Sequence, residues 1–111
     1  MNPADNPEEN LRAALSVLLA ARFARADAYR AYVVALDASN ICEVESLTAA
    51  VEHLIAGSCD PDGCRRLTVL RQRALNTLRE KSEACEWAGG DEARAARAYD
   101  RALAAMPEER A

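Results

Sequence analysis

The residues of this sequence best equipped for chemistry are four cysteines, Cys42, Cys59, Cys64 and Cys85, and one histidine, His53. Three chemistries are open to them. Paired thiols form disulfides in an oxidising compartment. Thiolates and imidazole bind zinc, so His53, Cys59 and Cys64 with Cys42 or Cys85 make a conceivable ligand set. Unpaired cysteines pack as small hydrophobes in a reducing one. The spacing His-x5-Cys-x4-Cys matches no compact zinc motif, and Cys-x2-Cys does not occur, so no metal site and no cofactor is assigned. By helical phase His53 lies off the apolar face of its segment, which reads as a surface histidine.

Other constellations are absent from the sequence. No serine sits in a nucleophile elbow, no glycine-rich phosphate loop occurs, and Glu-x-x-His pairs are missing. Asp60-Pro61-Asp62-Gly63 has the wrong ligand spacing for a calcium loop and reads as a turn. No catalytic residue is therefore named.

The elements that must carry these residues are helical. The 111 residues fit one domain, and four Gly and four Pro are too few for an all-β chain of tight turns. Residues 1–6 read as a disordered leader, 7–107 as a single helical-bundle domain, and 108–111 as a flexible tail. Asn6, Pro7 and Glu9 form an N-terminal capping signal. From there Leu11, Leu15, Leu18, Arg22, Ala26, Tyr29, Val33 and Leu36 recur at steps of three and four, predicting a long first helix over about 7–37. The next apolar set is Val44, Leu47, Val51, Leu54 and Ile55. At 100° per residue it is centred about 135° from the first stripe. A straight helix would turn that set away from the first stripe's partner. The sequence therefore predicts a break at Asp37–Asn40, with Asn40 and Glu43 capping a second helix that stops at Gly57.

A third helix is expected from about Pro61 or Cys64, with Cys64, Leu67, Leu70, Ala74, Leu78 and Cys85 on one face. Gly89-Gly90 should end it, and Asp91 should cap a fourth that carries Tyr99, Leu103 and Met106 and closes at Pro107. The expected fold is all-α: a small antiparallel bundle of about four helices, with a long first helix and a helix 2–helix 3 hairpin. In such a hairpin, facing residues have a nearly constant index sum. Cys59 with Cys64 gives 123 and Cys42 with Cys85 gives 127, so the two pairs can nest as disulfides.

This nested layout resembles that of the twin-cysteine helical hairpin proteins of the mitochondrial intermembrane space. The resemblance covers residues 42–85, and the spacings depart from that family's nine-residue form. Separately, Gly90, Ala95, Tyr99, Ala102 and Pro107 resemble the second half of a tetratricopeptide repeat. One half-repeat cannot stack into a solenoid.

Composition bounds the partners. The net charge is −4 and the pI about 5.0, so nucleic acid is not an expected partner. Arg65, Arg66, Arg71, Arg73, Arg79 and Lys81 make the third helix locally basic, but their helical phases scatter. A small nucleic-acid-binding regulator using that helix is thus an alternative reading, beside a cysteine-based metal or redox module. The apolar run Ala13–Ala21 is too short for a membrane span, and Met1-Asn2-Pro3-Ala4-Asp5 lacks a signal peptide's basic and apolar regions. The cytoplasm is the default compartment, or an oxidising one if the cysteines pair. Alanine supplies 25 residues and burying a methyl removes little area, so the core is thin. A thin core and no catalytic set lead to a non-enzymatic helical interaction protein, of the adaptor, assembly-factor, secretion-chaperone or toxin-neutralising type. The partner is another protein or a second copy. The overhanging end of helix 1 supplies the expected surface: Arg22, Tyr29, Tyr32, Val33 and Leu36. Arg22 interrupts the apolar stripe, and its stem packs while its head reaches water.

Overall fold

The structure, a computed structural model, describes residues 6–57 and 61–107. The expected leader, the Asp60 cap, Cys59 and the tail at 108–111 lie outside the described residues. The described chain is all-α but holds two helices rather than four: α1 (Pro7–Ala56) and α2 (Pro61–Ala104). It divides into two compact units. Unit 1 joins Met1–Ala28 to Cys85–Ala111, and unit 2 is Tyr29–Ala84.

The outer signals act as the sequence implies. Asn6 Oδ1 accepts hydrogen bonds from the backbone N–H groups of Glu8 (3.1 Å) and Glu9 (3.2 Å), capping α1. Pro7 takes the first helical position, where a missing N–H costs nothing. Gly57 ends α1 with φ of 63°, the left-handed conformation glycine tolerates best. Pro61 opens α2.

Both inner breaks are absent. Asp37-Ala38-Ser39-Asn40 contains neither Gly nor Pro, and each residue costs well under about 1 kcal/mol in a helix interior. Ending the helix there would strip several backbone groups of their partners, which costs more. Asn40 is therefore an exposed interior residue, not a cap. Gly89 and Gly90 also continue the helix, and neither takes positive φ. With no turn at Gly89-Gly90, the helix–turn–helix of a tetratricopeptide repeat is not formed there.

Each unit pairs its α1 and α2 arms along a 3–4 seam. In unit 1 the half-buried or buried positions of α1 after its first turn are Leu11, Ala14, Leu18, Ala21 and Ala28. On α2 they include Cys85, Ala88, Glu92, Ala95, Tyr99, Ala102 and Met106. Leu18 and Ala95 are buried, and Arg25 pairs with Glu92 at 3.0 Å. In unit 2 the α1 seam is Tyr32, Ala35, Ser39, Cys42, Ser46, Ala49 and His53, facing a side of α2 that bears Cys64, Leu67, Ala74, Leu78 and Lys81. Glu43 meets Arg71 through two bonds, at 2.7 and 3.2 Å, a bidentate pair on the open edge of the seam. Cys64 Sγ lies 3.4 Å from His53 Nδ1. The index sums of these two pairs, 114 and 117, show that the arms of unit 2 run antiparallel. A seven-residue repeat of this kind keeps one face on the neighbouring helix.

Candidate functional site

The unit 2 seam is unusual in what α1 contributes. Apart from Tyr32, and Leu36 beside it, its inward residues are small or polar: Ala35, Ser39, Cys42, Ser46, Ala49 and His53. Ser46 and Ala49 leave a cleft of about 150 Å³ beside Leu67 and Arg71 of α2. The large apolar residues of the same stretch face elsewhere. Val34, Ile41, Val44, Leu47, Val51, Leu54 and Ile55 are all exposed, Leu54 by 83% and Ile55 by 82%. With the seam written as heptad positions a and d, these seven fall on b, c and f. Those are the three positions farthest from a helix's partner.

The outward face is chemically uniform from residue 41 to 55. Thr48 is the one polar side chain among its b, c and f positions, and its Oγ1 donates to the Val44 carbonyl at 2.8 Å. An exposed threonine that satisfies its own hydroxyl this way presents a methyl group outward. Asn40, Ile41, Val44 and Glu45 line a shallow open hollow at the upper end of the stripe. Glu45 and Glu52 border one flank, and Glu43, already held by Arg71, borders the other. The corresponding outward positions of α2 in unit 2 carry Arg65, Arg66, Val69, Gln72, Arg73, Asn76, Arg79 and Glu80, a charged and polar face with one valine.

The expected surface residues fall in both units. Arg22 is exposed in unit 1. In unit 2, Tyr29 and Val33 are exposed, Tyr32 is half-buried in the seam and Leu36 is half-buried beside it. The rings of Tyr29 and Tyr32 approach to 6.5 Å between centroids, tilted by 38°. The stronger surface lies further along α1, in the set the sequence assigns to a second helix's buried face. Its signal was the angular offset itself: an unbroken α1 carries that set outward.

The cysteines supply less. Cys42 and Cys85 are half-buried free thiols. Cys64 is half-buried against His53, which corrects the reading of that histidine as a surface residue. Among the described residues, one sulfur and one nitrogen meet here, where zinc takes three or four ligands. Among the described residues no group of three or more His, Cys, Asp or Glu is placed to hold a metal ion. No helix of the described residues is long and apolar enough to cross a membrane. Comparison with known protein families, with curated proteins and with solved structures finds no match.

Proposed function

We propose that this protein is a helical interaction module that works by presenting the outward face of α1, residues 41–55, to a protein partner. The observation that carries this reading is the inversion of α1 in unit 2. From residue 39 to 55, small and polar residues face α2, while the large aliphatic ones face away. Selection for folding alone places large apolar side chains inside, since each stabilises by about 1.5–3 kcal/mol when buried. An apolar face kept outside marks a binding site more often than a defect of packing. The same reading absorbs the thin core. Among the described residues only Leu18, Ala35 and Ala95 are buried apolar side chains, so covering the stripe adds stability that the seam does not supply.

A photo-crosslinking residue placed at position 54 in the producing cell tests this. Adducts to a protein at position 54, and none from the same probe at position 73 on the charged face of α2, are expected. No adduct at position 54, whether to another protein or to this one, overturns the reading.

A further inference from the structure

Resting on that reading, we infer that the partner covering the outward face of α1 is a second copy of this chain, packed stripe against stripe. Three observations lead there. The first is area. Ile41, Val44, Leu47, Val51, Leu54 and Ile55 are between 54% and 83% exposed. Together they leave roughly 700 Å² to solvent, close to the roughly 800 Å² each partner contributes to a standard-size interface. The largest apolar patch of an ordinary monomer is roughly 300–600 Å².

The second is pattern. Val44, Leu47, Val51 and Leu54 repeat as Val-x2-Leu-x3-Val-x2-Leu. β-Branched residues at one seam position and leucine at the other favour a two-stranded coiled coil. This second seam runs along the side of α1 opposite α2, so among the described residues of unit 2 nothing occupies it.

The third is charge. An isologous contact juxtaposes like with like, so a charged stripe would oppose it. From 41 to 55 the outward positions carry no charge at all. Glu45 and Glu52 stand at the border, where water still screens them. A basic amphipathic helix from another protein would gain from those two carboxylates, and that occupant is the alternative outcome of the test.

Sedimentation equilibrium of the full chain, with reductant present to exclude intermolecular disulfides, reads the result. At tens of micromolar the expected mass is twice the 12.0 kDa of the chain. The double variant Leu47→Glu/Leu54→Glu is expected to raise the dissociation constant at least about a hundredfold, because it buries unpaired carboxylates in an apolar contact. Thr48→Ile is expected to tighten the dimer about tenfold through added apolar burial, so the idea stays testable if the charged variant loses its helices. Arg73→Glu on α2 should leave the mass unchanged. A wild-type monomer across this range overturns the dimer, as does a dimer untouched by all the stripe variants. A monomer whose position-54 probe captures a different protein overturns the dimer and leaves the docking face standing. Loss of both results removes both.

Discussion

Leu18→Ala is expected to destabilise the protein by about 3 kcal/mol, within the 2–5 kcal/mol range for deleting a buried leucine side chain. Among the described residues Leu18 is the one large buried side chain, at 5% exposure, and it sits in the unit 1 seam among Ala14, Ala21 and Ala28. Alanine neighbours cannot collapse into the space it leaves, so the cavity term adds to the lost transfer energy. For a chain of this size a loss of that order lowers the thermal midpoint by more than about 10 °C. Phe23→Ala is the control, since Phe23 is 68% exposed in the same unit. Its expected cost is about a third as large or less. Urea denaturation at a low, fixed protein concentration measures both. Equal losses would mean that the seam of unit 1 is not where the structure places it.

Replacing both Gly89 and Gly90 by alanine should stabilise the protein by about 2 kcal/mol, about 1 kcal/mol for each helix-interior glycine. The space permits it. A Cβ at Gly89 meets nothing within 4 Å, and one at Gly90 meets only Arg94 Nη1 at 3.6 Å, the far end of a flexible side chain. The sign of the effect is the informative part. If the chain turned at Gly89-Gly90, one glycine would take the left-handed conformation, and alanine there would destabilise. Asn40→Ala works the same way at the other continuity point. It gains roughly half a kcal/mol in a helix interior and loses about 1 kcal/mol if Asn40 caps a second helix. Thermal or urea unfolding of the double glycine variant and of Asn40→Ala reads both signs.

These continuity points also explain what the sequence disclosed and what it hid. Helical class, the Asn6 cap, the Gly57 stop and the Pro61 start were legible, because each rests on a local rule about one backbone position. The inner breaks were misread, because Asp37–Asn40 and Gly89-Gly90 are weak helix formers rather than obligatory stops. Once a break was drawn at 37–40, Val44, Leu47 and Val51 looked like a buried face, since a new helix is free to choose its own rotation. Without the break the helix runs on through 37–40, and within unit 2 the same residues lie on the side away from α2. The seam itself escaped notice for a related reason. It runs through Ala14, Ala21, Ala28, Ala35 and Ala49 at a mean period of 3.5, whereas the large residues Leu15, Tyr29 and Val33 drift off it. Alanine is a poor marker of burial by type, and only the packed neighbour shows which alanines matter. The approach of His53 to Cys64 was equally unreadable, because it depends on the register of the two arms around the turn.

Over residues 39–55, α1 turns its small and polar side chains to α2 and its large aliphatic ones away. Methyl–methyl NOE spectroscopy on protein labelled at Ala, Leu and Val measures this directly. The expected result is a cross-peak between the methyls of Ala49 and Leu67, which line the same cleft, and none between Leu47, Val51 or Leu54 and Leu67 or Leu78. Cross-peaks from Leu47 and Leu54 to those α2 leucines would place the stripe inside the seam and contradict the account.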